Sequence, residues 1–484
     1  MTYEAALAWV AASRNRGVRP GLSRISRLLT LLGNPQEASP VIHVAGTNGK
    51  GSTCACLEAG LRACGLRTGM FISPWLLHVR EMFRLDGEPV GEELFVHAAT
   101  AVSAAEARMP ASDLPTEYEL YAAMAFWVFR EAGCDVQVLE TCMGGRFDTT
   151  NAYGMGNLAV LSRIDMDHTA FLGDTLRDIA WHKAGILRPR CAAVSVPQQA
   201  EAAAVLRQCA EQTRTALSFL PEGAVSAVRP STDVTRFKLL LPDATDGDNW
   251  SGDWAVSLAG DYQAENAALA VAALHRFGRW QPQLGITPEA VRRGLRQVRW
   301  PCRFEVFAGD PVVVIDGAHN PDGMRRFAGA FQQLFPGRRA VVVLGVLGDK
   351  DVAGMRAPLL EITDTMHLIR PGSPRGMPVD ELAARLFSPG SRESATGRPE
   401  SADGTRESAA KASESAAGTP ESACCIWYKH DTIQAAMVAG LQDAGPDGIL
   451  VAVGSLSWTG VFRQLYLEWK TGSQASGVHA LHGG

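Results

Sequence analysis

The chain has 484 residues, a formal net charge of −5 and an apolar content of 46%. That length exceeds what one hydrophobic core usually organises, so two domains are expected, and the mild charge without a long basic run argues against a nucleic-acid partner. Ten cysteines stand singly, as Cys54-x-Cys56 or as Cys424-Cys425, without the paired Cys-x-x-Cys units of a zinc site or the context of a disulfide framework. The N-terminus carries Glu4 and no basic segment followed by an apolar core, and nowhere do about eighteen apolar residues run together, so a cytoplasmic protein away from the membrane is expected.

Helical patterns over Tyr3 to Ser13 and Leu22 to Leu32 precede the first strand. The stretch Val41 to Ser52 reads Val-Ile-His-Val-Ala-Gly-Thr-Asn-Gly-Lys-Gly-Ser. Its β-branched residues suit a buried strand, and Gly46, Gly49 and Gly51 allow a loop whose backbone N–H groups can approach phosphate oxygens. Cys54, Leu57, Leu61 and Cys64 then recur at helical spacing, so the loop feeds a helix N-terminus, the favourable end for an anion. The usual P-loop spacing is not met in full: Val44 stands where its first glycine would fall, and Gly51 rather than Ser or Thr follows Lys50.

Thr68 to Ile72 reads as a strand ending at Ser73-Pro74-Trp75, and Thr116 to Ala132 as an aromatic core helix. Asp135 to Glu140 is a strand finishing on a carboxylate, and Leu158 to Ile164 one finishing just before Asp165, Asp167 and His168. Ligands gather beyond the carboxyl ends of strands in open α/β sheets, so Glu140 and His168 share a rim with the phosphate loop. Val194 to Trp254 reads as a β-rich stretch without clear order. An alanine-rich helix follows over Ala267 to Phe277, and Thr287-Pro288-Glu289 caps another that ends near Val298.

Trp300-Pro301 marks the expected boundary, with an ATP-binding domain over 1–298 and a second domain over 302–470. In the second, strands over Pro311 to Asp316, Arg339 to Val346, Thr365 to Arg370 and Gly448 to Val453 alternate with helices, a smaller doubly wound pattern. The expected class is therefore α/β with two doubly wound domains. Glu-Ser-Ala recurs at Glu393, Glu400, Glu407, Glu414 and Glu421 without large apolar residues, so 390–423 is expected to be a disordered insertion, and 471–484 a flexible tail.

The loop Gly-Thr-Asn-Gly-Lys-Gly-Ser resembles that of the Mur ligase superfamily. The preceding His43 and the lead-in Gly21 to Pro35 narrow the resemblance to folylpolyglutamate synthase and dihydrofolate synthase. Further matches follow in the family's order: Ser73-Pro74, Leu139-Glu140, Gly144 to Asn151, Asp167-His168-Thr169, Lys183 to Ile186, Gly260 to Gln263 with Asn266, Pro301 to Glu305, Asp316 to Pro321, and Gly345 to Asp351. The resemblance implies a P-loop domain of Mur ligase type, a Rossmann-like C-terminal domain and an ATP-dependent ligase that adds glutamate to a carboxylate.

By the same resemblance, Lys50 and the loop residues Gly46, Thr47, Asn48, Gly49, Gly51 and Ser52 hold the phosphates. Ser73 and Glu140 ligate one magnesium and His168 a second, which a carbamylated Lys183 shares. Desolvation would keep that lysine's amine neutral enough to react with carbon dioxide. Asn266 and Arg303 contact adenine and phosphate, and Asp316 and His319 the nucleotide and the glutamate side. Lys50, Lys183 and His319 are the catalytic candidates.

Arg146, Asp148, Thr150 and Asn151, with Thr116 and Tyr118, match the form of enzymes that accept both dihydropteroate and reduced folates; Phe147 and Thr149 depart from it, the latter adding bulk where alanine is usual. The expected partners are ATP, magnesium, L-glutamate and dihydropteroate or a reduced folate, with the enzyme a monomer. A cell-wall Mur ligase is disfavoured because only about forty residues precede the first strand. A GTP-binding switch is disfavoured because Gly348-Asp349-Lys350-Asp351 lacks the guanine-reading asparagine.

Overall fold

The computed structural model describes residues 1–154, 157–242, 249–387 and 425–475. Eight strands form the first sheet: β1 (Val41–Ala45), β2 (Thr68–Phe71), β3 (Phe83–Leu85), β4 (Glu88–Pro89), β5 (Val136–Glu140), β6 (Leu158–Leu161), β7 (Ala192–Ser195) and β8 (Ala216–Phe219). Their order is β4-β3-β2-β5-β1-β6-β7-β8, parallel except for the β2-β3-β4 edge. β1 is buried at every residue and flanked by β5 and β6, which explains its run of β-branched side chains. The helices Lys50–Ala63 and Tyr262–Trp280 cover one face together with a small antiparallel sheet of β9 (Val225–Pro230), β10 (Thr235–Leu239) and β11 (Gly252–Val256).

The second unit is a six-stranded sheet of β12 (Glu305–Phe307), β13 (Val312–Ile315), β14 (Ala340–Leu344), β15 (Thr363–Ile369), β16 (Ile426–His430) and β17 (Ile449–Val453), ordered β12-β13-β17-β14-β15-β16. Only β12 runs antiparallel, and apolar clusters lie on both faces. The molecule is thus a two-domain α/β protein, with a larger mixed sheet followed by a smaller doubly wound one.

Several elements depart from the sequence reading. The stretch Val194 to Trp254, expected to be β-rich, contains the helix Ala200–Thr213, whose core face of Ala202, Val205, Leu206 and Cys209 is diluted by alanine. A helix over Glu92–Glu106 goes unanticipated for the same reason. The helix Val352–Ile362 is masked by Pro358 inside it. The alanine-rich helix starts at Tyr262 rather than Ala267, so Asn266 lies within it. The last helix, Leu456–Ala475, runs into the tail expected from 471. The Glu-Ser-Ala repeats and residues 476–484 lie outside the described residues.

Candidate active site

The phosphate loop is held from below before it meets any ligand. The N–H groups of Thr47 and Asn48 both donate to the Arg163 carbonyl, at 2.7 and 3.3 Å, and Thr47 Oγ1 donates to the Asp165 carbonyl at 2.8 Å. The amides that open toward an anion are therefore those at the start of the helix Lys50–Ala63, not those of Thr47 and Asn48. Gly49 takes φ +87°, and a Cβ there would stand 2.2 Å from Asn266 Oδ1, so only glycine lets the loop pass this close to the helix Tyr262–Trp280. Asn266 Nδ2 donates to Gln263 Oε1 at 3.0 Å, which fixes its amide against the loop.

Two lysine side chains converge on one carbonyl. Lys50 Nζ lies 3.1 Å from Gly46 O and 3.2 Å from Thr47 O, and Lys183 Nζ donates to Gly46 O at 2.7 Å. Lys183, at the end of the helix Leu176–Lys183, is only 3% exposed. Burial, with the charge of Lys50 beside it, lowers its pKa to about 7, so an appreciable neutral fraction exists at physiological pH. On the neighbouring strand, the buried Glu140 carboxylate accepts one long hydrogen bond, from Ser73 N at 3.3 Å; burial pushes its pKa up against the pull of Lys50 and Arg303. The Tyr118 phenol is buried near Ser73, Cys142 and Asp148, and its pKa is raised by desolvation.

His168 follows β6 with a left-handed backbone (φ +54°), and burial lowers its pKa to about 4, leaving a neutral imidazole. Among the described residues no three His, Cys, Asp or Glu side chains converge on a metal position. A magnesium ion here would therefore have to combine Glu140 and Ser73 with phosphate oxygens. The buried, under-bonded Glu140 carboxylate is the hard donor such an ion takes.

The C-terminal unit contributes a second wall. Asp316 is buried and spends both oxygens on the backbone, accepting from Phe304 N and Ala318 N at 2.7 Å each. It thereby fixes the turn that carries Arg303, which faces a cavity of about 210 Å³ shared with Gly51, Ser73, Glu140, Trp300 and Arg463. His319 Nδ1 donates to Gly317 O at 2.8 Å, which turns Nε2 toward Asp167 Oδ2, 3.7 Å away.

Asp167 is the junction that the sequence reading passes over. Lys350 Nζ donates to its Oδ1 at 2.7 Å and Asn320 Nδ2 to its Oδ2 at 3.2 Å. Burial raises its pKa, but the neighbouring His319 ring and the charge of Lys350 outweigh that and hold it far below the carboxylate range. Asp167, Asn320 and Lys350 all lie within the motif stretches quoted above, and motif membership is the only local signal they carry.

The expected acceptor residues divide. The segment carrying Arg146 and Asp148 packs directly on the backbone around Lys183: Arg146 N donates to His182 O at 2.7 Å, and a Cβ on Gly145 would lie 2.9 Å from Lys183 O. Asp148 is spent internally, accepting from Met143 N, Thr150 N and Thr150 Oγ1, and Thr116 caps the helix Glu117–Glu131 in a reciprocal box with Glu119. The Arg146 guanidinium lies 4.0 Å from the Trp181 ring centroid, and Phe147, 45% exposed, rests on Trp181 and His182. Thr149 is half-buried at the start of a short 3-10 turn that ends at Asn151. His43 is also structural: buried, it bonds Tyr153 and Thr150 at 2.7 and 2.8 Å and ties β1 to that turn.

Residues 302–456 match the family model for the Mur ligase glutamate ligase domain. The folylpolyglutamate synthase of Lacticaseibacillus casei is 35% identical over 78% of this chain and 88% of its own length. A Mycobacterium tuberculosis dihydrofolate synthase/folylpolyglutamate synthase is 36% identical over 76% and 77%. A M. tuberculosis folylpolyglutamate synthase solved with ADP and AMPPCP superposes with a TM-score of 0.78 at 30% identity, covering 96% of this chain and 99% of that one. Escherichia coli FolC, solved with DHPP and ADP, gives 0.76 at 25% identity, covering 96% and 98%.

Proposed function

The chain belongs to the folylpolyglutamate synthase/dihydrofolate synthase family of Mur ligases and is an ATP-dependent ligase; from that premise we propose that it adds L-glutamate both to dihydropteroate and to the tail of reduced folates. The observation that carries the dual reading is the packing of Gly144 to Asn151 on the backbone of Lys183, which brings the segment resembling dual enzymes against the phosphate site. Relatives named for both activities and FolC bound to DHPP add to it.

A carboxylate is a poor electrophile. Its oxygen first attacks the γ-phosphate of ATP, releasing ADP and forming an acyl phosphate; the amine of glutamate then displaces phosphate and loses a proton. Lys50 and the opening amides of its helix neutralise the transferring phosphoryl group, and Arg303 faces it from the other unit. His319, with Asp167 behind it, lies on the glutamate side. Magnesium, held by Glu140 and Ser73 at one position and by His168 with Lys183 at a second, would disperse phosphate charge.

Lys183 fits carbamylation. Its neutral amine attacks carbon dioxide, forming a C–N bond and releasing one proton, and the remaining N–H still donates to Gly46 O. A crystal grown with bicarbonate and nucleotide should display the added carboxylate, and a bare amine there would refute it. The same reading divides the chain at Trp300-Pro301 and makes the enzyme a cytoplasmic monomer; none of the described helices is long and apolar enough to cross a membrane.

Polyglutamylation alone is the second reading, favoured by Thr149. If its side chain faces the acceptor, its extra bulk costs about 1 to 3 kcal/mol. Purified enzyme given dihydropteroate as sole acceptor decides between them. Dihydrofolate formation supports the dual activity; its absence, beside robust glutamate addition to a reduced folate, leaves polyglutamylation only.

A further inference from the structure

Asn320 does more than its local position requires. It is the N-cap of the helix Pro321–Leu334, and Oδ1 accepts from Gly323 N at 2.8 Å. A cap needs only an acceptor, and Asp or Ser would serve as well. Here the amide nitrogen is also committed: Nδ2 donates to Asn48 Oδ1 at 3.1 Å and to Asp167 Oδ2 at 3.2 Å. Asn48 Nδ2 answers by donating to Asn320 Oδ1 at 3.2 Å and to Asp322 Oδ2 at 2.8 Å.

These bonds join opposite sides of the interface. Asn48 belongs to the phosphate loop and Asp167 precedes His168, whereas Asn320, Asp322 and Lys350 come from the C-terminal unit. Asn320 and Lys350 are buried, at 3% and 6% exposure, so water does not compete for their bonds while the units are together. If the units part, the paired amides separate, Lys350 leaves Asp167, and Asn48 loses every side-chain partner.

We propose that Asn320 is a positioning residue that makes the working shape of the phosphate loop depend on the apposition of the two units, so that phosphoryl transfer is supported only when Arg303 and His319 are in place. The proposal rests on reading Val41 to Ser52 as the nucleotide loop. It assigns to Asn320 a role distinct from capping, and to its amide nitrogen the part that no other capping residue could play.

Asn320→Asp tests this. It keeps the capping acceptor but exchanges the donor for a carboxylate facing Asp167. The expected result is a fall in kcat of at least about tenfold, the scale for losing a hydrogen bond to a charged group, with thermal unfolding near wild type. The dissociation constant of ATP without acceptor should move by less than threefold, because the N-terminal contacts persist. Asn48→Ala should lower kcat as well, and the double variant should cost no more than the worse single one. Asn320→Ser, which also caps but carries no charge, serves if the Asp variant folds poorly.

Turnover within twofold of wild type in both Asn320 variants, or losses that multiply independently with Asn48→Ala, would overturn the proposal. Lys50→Ala separates this from failure of the underlying reading. An inactive Lys50→Ala beside an active Asn320→Asp refutes the clamp alone, whereas a fully active Lys50→Ala removes the nucleotide loop and the clamp with it.

Discussion

Glu140 ends β5 and Asp167 follows β6, the two strands that flank β1, so two carboxylates stand on either side of the phosphate loop. Their surroundings are opposite. Glu140 accepts a single hydrogen bond of 3.3 Å and faces a cavity, and burial raises its pKa. Asp167 receives Lys350 at 2.7 Å and Asn320 at 3.2 Å, with His319 nearby, and its pKa is lowered. Place on the rim of a sheet therefore does not decide what a carboxylate does. What the C-terminal unit sends across does: Glu140 is left with free acceptor capacity, which the proposed function assigns to a ligand, and Asp167 is spent on side chains of the C-terminal unit.

The largest expected effect lies on the Glu140 side. Lys50→Ala removes a cation that pulls on Glu140 and that in the proposed reaction neutralises the transferring phosphate, and turnover should fall by on the order of a hundredfold or more with the melting temperature preserved. ADP release and a thermal melt check both parts, and near wild-type turnover in a folded variant would break the assignment.

Charge removal at the two carboxylates should then separate stability from activity. Glu140→Gln should cost about a hundredfold in turnover while leaving stability unchanged or raised, because it deletes a buried charge with one weak bond. Asp167→Asn leaves the Lys350 ammonium buried opposite a neutral amide, and breaking a buried pair this way costs about 3 kcal/mol. Denaturant unfolding of both variants measures the difference, and Glu140→Gln proving the less stable would reverse the comparison.

The pH dependence sharpens it further. The folded pKa of Glu140 lies above its unfolded value, so its contribution to stability is present in acid and lost as pH rises through the raised pKa. The folded pKa of Asp167 lies below its unfolded value, so its contribution is present above about pH 4 and lost as pH falls below that. Melting temperatures between pH 3 and 8 should therefore lose their acid-side fall in Asp167→Asn and their decline toward neutral pH in Glu140→Gln. Parallel profiles for the two variants would contradict the opposite environments.

This contrast also marks what the sequence could reveal. The phosphate loop is legible because its signals are local: β-branched strand, glycines, lysine and helical spacing lie within one short stretch. Glu140 and His168 follow from their places at strand ends. The Asp167–Lys350 pair spans 183 positions, and no local pattern announces it. Asp316 and Thr116 are singled out by resemblance as ligand contacts, and their side chains also hold a backbone turn and a helix cap, a second task that only hydrogen-bond partners disclose. The helix Ala200–Thr213 is hidden by alanine, which packs into the core without marking a face strongly.

The smallest effect concerns the acceptor. Thr149→Ala should lower the KM for dihydropteroate by up to about tenfold, the equivalent of about 1.4 kcal/mol, with little change for a reduced folate. Equal changes for both acceptors would place Thr149 outside the recognition of dihydropteroate.

In the proposed reaction, phosphoryl transfer to the acceptor carboxylate is the step on which both halves of the site converge. Purified enzyme is supplied with ATP, magnesium, glutamate and a reduced folate whose terminal carboxylate carries oxygen-18, and the released inorganic phosphate is analysed by mass. Transfer of one labelled oxygen per turnover, with ADP release requiring both the folate and glutamate, is the expected result. Unlabelled phosphate, or ADP release independent of the folate, would contradict the account.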